Sequence, residues 1–335
     1  MNSNLKNLLN QYQQKRSLEI QKANQEKYLL YNKIPEFEKV DHDINSLSIK
    51  LIQETLTSKS SKDIVNTKKK IESLKNKRKK ILNDNGYTLD SLSPKFECDK
   101  CNDTGYVKTS NGDVLCSCIK QKLYNIAYNN ANIYDLRNQN FDKFDISLYS
   151  DEVNKDKYKF DISPRQNMIS IRKTCEKFIE NFDSPSQNNL LFCGNTGLGK
   201  TFLSSCVANE LIKKDKTVLY QTAPIMLDKI IDYKFGKSSD DIIDSIYSVD
   251  LLIIDDLGTE TKNNLKITEL FNIINTRLLN QNNKITKTII STNLSLQQLY
   301  NFYEERIVSR IIGNYDACYF FGDDIRIKKK FTVTN

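Results

Sequence analysis

The residues Gly194-Asn195-Thr196-Gly197-Leu198-Gly199-Lys200-Thr201 decide the fold that this sequence predicts. They follow the phosphate-loop pattern of Gly, any four residues, Gly, Lys and then Ser or Thr. Glycines let the backbone curl around an anion, so that successive N–H groups point inward, and the next helix adds its positive end. In this arrangement Lys200 contacts the β- and γ-phosphates and the Thr201 hydroxyl contacts Mg²⁺.

The flanking residues place this loop between a strand and a helix. The apolar run Asn189-Leu190-Leu191-Phe192-Cys193 precedes it and predicts a buried strand, and residues 202–213 predict a helix. A glycine-rich turn that arises by chance has no reason to lie between a buried strand and a helix. The strand and the helix therefore favour a nucleoside triphosphate site over a simple turn.

The chain from about residue 166 onward alternates helical and strand patterns. Strands are predicted at 189–193, 217–221, 251–254 and 288–291. This alternation predicts an α/β fold, with a parallel sheet flanked by helices on both faces. Cys175, Cys193, Cys206 and Cys318 fall within these apolar patterns, and we interpret them as small core residues.

Two further strand ends carry polar side chains. Asp255 and Asp256 follow the apolar run 251–254, and Asn293 follows the strand 288–291. Ligands in such sheets collect at the carboxyl ends of the strands, so Asp255 is expected beside the Mg²⁺ held by Thr201. Asp256 is a candidate to orient or deprotonate the attacking water, although it reaches less far than a Glu would.

Three arginines are candidates for contact with the phosphates. Arg306 and Arg310 share one face of a predicted helix because they are four residues apart, and Arg326 stands alone nearer the C-terminus. A planar guanidinium suits a phosphate with developing charge. Taken singly, each of these arginines is more often a surface residue than a catalytic one.

Four cysteines predict a separate metal site. Cys98 and Cys101 form a C-x2-C pair, and Cys116 and Cys118 form a C-x-C pair further along the chain. Four thiolates close a tetrahedral structural Zn²⁺ site and leave no open position for catalysis. The alternative is a set of unpaired or redox-active thiols, because the second pair departs from the common two-residue spacing.

The residues before Gly86 predict helices. Pro35 interrupts the first helical stretch, and Gly86 offers a stop for the last. We interpret this region as a helical hairpin or small bundle whose apolar face needs a partner. The basic run 68–80 is compatible with contact to DNA or with a solvated helix face. The apolar positions at helical spacing are Ile44, Leu47, Leu51, Leu56, Ile64, Ile71, Leu74 and Ile81.

The chain as a whole has the composition of a soluble protein with a core. It has 335 residues, 39% of them apolar and 27% charged, with a net charge of +8 and a mean hydropathy of −0.56. No apolar run approaches the ~20 residues needed to span a bilayer, and residues 1–14 lack the pattern of a secretory signal. We therefore expect a cytoplasmic location, no membrane association and reduced cysteines.

Taken together, these motifs resemble those of the AAA+ ATPases, and within them the DnaC/DnaI helicase loaders and the related IstB transposition ATPases. The resemblance covers about residues 140–330. It rests on Asn140-Phe141-Asp142-Lys143-Phe144-Asp145, the phosphate loop, Ile253-Ile254-Asp255-Asp256-Leu257-Gly258, Ser291-Thr292-Asn293-Leu294-Ser295, Glu305-Arg306 through Ser309-Arg310, and Gly322-Asp323-Asp324-Ile325-Arg326.

The resemblance implies roles for individual residues. Lys200 and Thr201 match the Walker A pair, and Asp255 matches the metal-binding Walker B acid. Asn293 matches sensor 1. Two arginines complete the match: Arg310 corresponds to a finger that reaches into the site of a neighbouring subunit, with Arg306 as a second candidate, and Arg326 corresponds to sensor 2.

The same resemblance implies a function and partners. Asp256 stands where many AAA+ proteins have Glu, which leaves the rate of ATP hydrolysis open but not nucleotide binding. A long N-terminal part with a cysteine-rich segment favours a loader that places the replicative hexameric DNA helicase on single-stranded DNA. Assembly into a homo-oligomer is implied, and the groove for DNA is expected at about residues 224–247.

The resulting division is 1–90 for a helical partner-binding region, 91–125 for a zinc-binding segment and 126–335 for an AAA+ ATPase domain. Two other functions stay open. One is an IstB-like transposition helper that binds duplex target DNA. The other is a zinc-containing adaptor that holds ATP as a structural ligand and hardly hydrolyses it.

Overall fold

A computed structural model describes residues 2–56, 61–110, 112–126, 139–237, 241–280 and 284–327. Its internal contacts separate two compact units, one formed by Lys6–Cys116 and one that contains Ser117–Asn335. Whether the chain divides functionally at residues 90 and 125 stays a prediction. Within the described residues, no helix is both long enough and apolar enough to cross a membrane.

The first unit is largely helical. Its helix α1 ends at Lys33 and the next begins at Pro35, as the proline predicted. The third helix stops just before Gly86, which has a left-handed φ of +78°. The elements are α1 (Asn2–Lys33), α2 (Pro35–Leu56), α3 (Ser61–Asp84) and a two-stranded antiparallel sheet of β1 (Tyr106–Thr109) and β2 (Gly112–Leu115).

Helices α2 and α3 form an antiparallel hairpin. Polar pairs join the start of α2 to the end of α3 and the end of α2 to the start of α3, as Glu36–Lys77 and Glu54–Thr67 show. Asp41 is buried at the centre and accepts hydrogen bonds from α1 and α3. The apolar core beside it consists of Leu30, Phe37, Val40, Ile44, Ile71, Ile81 and Leu82. The donors to Asp41 are Lys27, Tyr31 and Arg78.

The second unit alternates helices and strands. Its helices are α4 (Ser117–Tyr124), α5 (Lys155–Tyr158), α6 (Pro164–Glu180), α7 (Lys200–Lys213), α8 (Ala223–Lys234), α9 (Asp241–Ser248), α10 (Asn264–Asn280), α11 (Leu296–Phe302) and α12 (Glu305–Asn314). Its strands are β3 (Asn189–Gly194), β4 (Val218–Thr222), β5 (Leu251–Leu257), β6 (Lys287–Thr292) and β7 (Tyr315–Phe320).

The five strands form one parallel sheet in the order β4-β5-β6-β3-β7. One apolar layer lies under α6 and α7, and the other lies under α8 to α12. The structure therefore confirms the predicted α/β fold with helices on both faces. The four cysteines predicted for the core, Cys175, Cys193, Cys206 and Cys318, are all buried.

Strand β7 was not predicted. It lies at the edge of the sheet beside β3, and it follows α12 without an intervening loop. Asp316, Ala317 and Tyr319 are exposed on it, so its sequence lacks the continuous apolar run that identified the other strands. An edge strand is paired on one side only, and this weakens its sequence signal.

Arg277 of α10 lies at the amino-terminal ends of β5 and β6, at the end of the sheet away from the phosphate loop. Its side chain is only 1% exposed. The guanidinium donates to the Thr288 hydroxyl at 3.0 Å, to the Ile246 carbonyl at 2.7 Å and to the Lys287 carbonyl at 2.7 Å. Burial lowers the pKa of Arg277 to about 10, so the group stays charged at neutral pH. It thereby joins the end of α9 to the start of β6.

We predict that Arg277→Met lowers the free energy of unfolding by about 3 kcal/mol, because buried carbonyls lose their charged donor. Urea denaturation followed by circular dichroism measures the change. Arg277→Lys keeps the charge without the planar fork and should recover only part of the loss. Lys213→Met removes an exposed ion pair with Glu210 and should change stability little. Equal stability of Arg277→Met and Lys213→Met would contradict this role.

Candidate functional site

Lys200 lies at the start of α7, directly after the loop that leaves β3. Its amino group donates to the Gly194 carbonyl at 2.6 Å, to the Asn195 carbonyl at 2.7 Å and to Asn293 Oδ1 at 2.7 Å. Burial lowers the pKa of Lys200, while the nearby carboxylates of Asp256 and Asp255 oppose that shift. The structure therefore brings Lys200 and Asn293 together over the phosphate loop.

Asp255 is hydrogen-bonded to three other side chains, and it is 3% exposed. It accepts hydrogen bonds from the Thr201 hydroxyl at 3.0 Å, the Tyr220 hydroxyl at 2.5 Å and the Ser291 hydroxyl. Burial, with Asp255 adding to it, raises the pKa of Tyr220, which keeps that hydroxyl protonated as a donor. The structure therefore brings together Thr201 and Asp255, the two residues that the sequence predicts beside Mg²⁺.

Asp256 adopts an unusual backbone conformation at the end of β5. Its φ is +54°, and the pairing of β5 with β6 shifts register between Ile254 and Leu257. Such a bulge re-aims a side chain, and here Asp256 lines the same cleft as Lys200. Burial raises the pKa of Asp256, and the charge of Asp255 raises it further. Its backbone N–H donates to the Ser291 hydroxyl at 3.1 Å.

The cleft beside the phosphate loop has a volume of about 350 Å³. One wall is apolar and is formed by the segment before α5 together with the first turn of α7. The Tyr149 hydroxyl fixes this wall by donating to the Leu198 carbonyl at 3.1 Å. The apolar and aromatic residues that line the cleft are Phe144, Leu148, Tyr149, Leu198, Phe202 and Ile325.

The three arginines separate into two groups. Arg326 lines the cleft, and the turn before it is bound to the loop through a hydrogen bond from the Ile325 N–H to the Gly197 carbonyl at 2.9 Å. Arg310 is exposed on α12 and is absent from the lining of this cleft. Arg306 pairs with Glu304 at 2.5 Å and lies 4.6 Å from the centre of the Phe271 ring.

The sequence patterns did not identify several residues of the site. Tyr220 and Ser291 lie within strands predicted from their apolar neighbours, and nothing in the pattern marked them as partners of Asp255. In the segment 140–149, residues 140–145 entered the sequence analysis only through the family resemblance, and no pattern placed the segment at the cleft. The alternation of Phe141, Phe144 and Tyr149 with acids was the available signal that it packs against something.

The four cysteines of the predicted metal site also come together. The sulfurs of Cys98, Cys101, Cys116 and Cys118 all lie within 4.8 Å of one another, and Cys98 and Cys116 are 3.9 Å apart. Tetrahedral Zn²⁺ with bonds of about 2.3 Å places its sulfur ligands about 3.8 Å apart. The donor set and its spacing therefore fit Zn²⁺.

The backbone around these cysteines is ordered by local hydrogen bonds. The buried carboxylate of Asp103 accepts from the Glu97 N–H at 2.9 Å and from the Cys98 N–H at 3.0 Å. The Cys116 N–H donates to the Gly105 carbonyl at 2.9 Å, beside the Tyr106–Leu115 pair of the β1–β2 hairpin. These bonds hold the thiols in one place within a segment that has little core of its own.

The predicted DNA groove shows mixed features in helices α8 and α9, although residues 238–240 lie outside the described part of the chain. Phe235 is 65% exposed at the end of α8. Lys234 pairs with the buried Glu269 at 2.5 Å, and Lys229 is half-buried. Lys237 is exposed beside Phe235. The side chains Met226, Leu227 and Ile230 are buried in the core.

Comparison with known proteins finds one matching family and several similar proteins. Residues 155–314 match the family of bacterial DnaA ATPase domains. The chain is similar to the replicative helicase loader DnaC of Escherichia coli strain K12, with 25% identity over 160 residues that cover 47% of this chain and 62% of that protein. It therefore spans about three fifths of the length of that relative.

Two further similarities involve chromosomal initiators. The DnaA protein of Buchnera aphidicola subsp. Cinara cedri is 33% identical over 155 residues, which cover 44% of this chain and 34% of that protein. The solved structure of AMPPCP-bound DnaA from Aquifex aeolicus is 25% identical, covers 50% of this chain and 51% of that chain, and superposes with a TM-score of 0.42.

We predict that Asp256→Asn stabilises the protein slightly, by a fraction of 1 kcal/mol since the half-exposed carboxylate is partly screened. The amide removes the repulsion with Asp255 and tolerates the left-handed backbone. A raised folded-state pKa makes the carboxylate costly at neutral pH, and that cost disappears as the pH falls through it. The gain should therefore be present at pH 7 and shrink on acidification, as thermal denaturation at several pH values would show.

The matched control is Asp244→Asn on α9, which removes an acid from outside the cleft. It should give no pH-dependent gain. A stability gain for Asp256→Asn that grows on acidification would contradict the raised pKa of Asp256. The Asp256→Asn variant should retain nucleotide binding, because Asp255 and Thr201 are unchanged.

Proposed function

We propose, from the premise that this chain contains a DnaC-like AAA+ ATPase domain, that this protein is an ATP-dependent loader of the replicative DNA helicase onto single-stranded DNA. The observation that supports it most is the sequence match to DnaC over 160 residues, together with the polar residues gathered around the phosphate loop. The match covers 47% of this chain, so the role of the remainder is part of the proposal.

The phosphate loop, Gly194 to Thr201, holds the triphosphate of ATP. Lys200 exchanges its carbonyl partners for phosphate oxygens, and the loop N–H groups of Asn195, Thr196, Gly197, Leu198 and Gly199 complete the anion site. Thr201 and Asp255 bind Mg²⁺, which neutralises charge on the phosphates. The apolar wall that includes Phe144 and Tyr149 suits the base of the nucleotide.

Hydrolysis requires an activated water and stabilisation of the charge that develops on the γ-phosphate. Asp256 is the general base, and its raised pKa places it closer to the pH at which a base is effective. Asn293 orients the water or the γ-phosphate, and Arg326 contributes charge from the same chain. Arg310 is exposed and acts in the site of a neighbouring subunit, so the complete ATPase is a homo-oligomer.

The N-terminal helices bind the helicase, and the cysteine segment holds a structural Zn²⁺ through Cys98, Cys101, Cys116 and Cys118. In the ATPase unit, the exposed Phe235 stacks on a base of single-stranded DNA and Lys237 contacts its backbone. Lys234 is held by Glu269 and contributes less.

We predict that the native chain deposits the replicative helicase of the same organism on circular single-stranded DNA only when ATP is present. Lys200→Ala should abolish deposition because it removes the phosphate contact. Arg310→Ala should also abolish it, because each site then lacks its trans guanidinium, but it should leave ATP binding within about twofold of native. Helicase recovered with the DNA circle after gel filtration measures the result.

Lys213→Ala is the matched control for both changes, since Lys213 is an exposed lysine at the far end of α7. Loading by the Lys200→Ala variant at the native level would instead favour an adaptor that needs no nucleotide. A chain that binds duplex DNA and a transposase but not the helicase would be a transposition helper, and the loader proposal would fail.

We predict one Zn²⁺ per purified chain, measured by elemental analysis after preparation under reducing conditions. Cys101→Ser should lose the metal and lower the melting temperature, because metal binding contributes directly to folding of so small a segment. Cys206→Ala changes a cysteine that is buried in α7, so it should keep the metal. Stoichiometric absence of zinc from native protein would refute this site.

A further inference from the structure

A buried pair, Glu260 and Tyr303, ties the loop after β5 to the start of α12. The Tyr303 hydroxyl donates to one carboxylate oxygen of Glu260, and the Gly258 N–H donates to the other at 2.9 Å. Glu260 is 6% exposed and Tyr303 is 4% exposed. A carboxylate withdrawn from water in this way needs both donors, so the pair is a costly contact to break.

Each end of this pair leads to a functional element. Gly258 lies just after Asp255 and Asp256, which contact Mg²⁺ and water in the proposed mechanism. Tyr303 directly precedes Glu304, the N-cap residue of α12. Glu260 therefore connects the metal-binding end of β5 to the helix that presents Arg310.

The loop is also fixed on its other side. The Thr292 hydroxyl donates to the Leu257 carbonyl at 2.7 Å, so the end of β6 holds the end of β5. The side chain of Leu294 packs against Gly258, where an added Cβ would lie 2.4 Å from it. The loop thus has little freedom to move without moving Tyr303.

A small change in the direction of α12 at its start would displace Arg310. Ile307, Val308 and Ile311 are fully buried on one face, and Arg310 projects from the exposed side. Arg310 lies about 9 Å along the helix from Glu304, at 1.5 Å per residue. Because a misplacement of about 1 Å at a reacting centre costs up to about 10²-fold in rate, the start of α12 must be held firmly.

Glu260 is not a substitute for the missing catalytic Glu. Both of its carboxylate oxygens are engaged by donors of the same chain, and it is absent from the lining of the nucleotide cleft, whereas its neighbour Thr259 is present there. Burial, with the charge of Glu260 adding to it, holds the pKa of Tyr303 well above its usual value, so Tyr303 remains the donor.

We infer that Glu260 and Tyr303 are positioning residues that orient α12, so that Arg310 of one subunit reaches the ATP site of the next. This inference rests on the proposed function, because it requires an intersubunit site. It also makes the finger of each subunit dependent on the metal-binding loop of that same subunit.

The test separates the subunit that holds ATP from the subunit that supplies Arg310. Full-length chains with Arg310→Ala keep a nucleotide site but supply no finger, and chains with Lys200→Ala supply a finger but hold no productive site. Mixing the two should restore hydrolysis that neither shows alone. Tyr303→Phe is then added to one partner at a time, with ATPase rate as the readout.

We predict a one-sided effect. Tyr303→Phe in the Lys200→Ala finger donor should lower the rate of the mixture about tenfold, while the same change in the Arg310→Ala partner should alter it less than about twofold. Glu260→Gln should reproduce this asymmetry. Tyr300→Phe, at an exposed tyrosine of the neighbouring helix α11, should change neither mixture.

Each outcome decides between the possibilities. Equal loss from Tyr303→Phe in either partner, or no loss in both, would overturn the inference while the intersubunit site stands. If Tyr303 served only the folding of its own chain, Tyr303→Phe would lower the ATPase rate equally in either partner. If the mixture of Lys200→Ala and Arg310→Ala chains recovers no activity, the intersubunit site is refuted and the inference falls with it. If the mixture keeps its activity when Tyr303→Phe is added to the Arg310→Ala chain, the Tyr303→Phe variant folds.

Discussion

The carboxylate of Asp255 is the point at which the elements of the ATPase unit meet. It receives the hydroxyls of Thr201 from α7, Tyr220 from β4 and Ser291 from β6. Three donors from three elements fix both the register of the strand ends and the direction of the carboxylate. Without them a buried acid would carry a large desolvation cost. The same bonds therefore stabilise the carboxyl ends of the strands and orient a carboxylate of the kind that binds a divalent cation.

Ser291 extends this arrangement to Asp256, because its hydroxyl also accepts the Asp256 N–H. The bulge at the end of β5 places two like charges side by side, and burial together with the charge of Asp255 raises the pKa of Asp256. The left-handed backbone and the electrostatic repulsion lie where a metal ion and phosphate would relieve them.

The sequence alone predicts those parts of the fold that have a local signal. The phosphate loop, the apolar runs of β3, β5 and β6, and the helix breaks at Pro35 and Gly86 all depend on residues close together in the chain. Strand β7 and the partners Tyr220 and Ser291 do not, since their roles arise from contacts across the sheet. The cysteine cluster was predictable because metal coordination imposes its own spacing. The roles of the individual site residues remain predictions.

The position of Arg310 bears most directly on how the site works. The cleft collects Lys200, Asp256, Asn293 and Arg326 from one chain, whereas Arg310 points to solvent on the exposed face of α12. An arginine finger contributes about 10³–10⁵-fold to phosphoryl transfer where it is used. In the proposed mechanism Asp256 is a shorter base than Glu, so a single chain without the Arg310 of a neighbour would hydrolyse ATP slowly. The rate would then depend on the approach of α12 to a second cleft, and the buried Glu260–Tyr303 contact would set the direction of that helix.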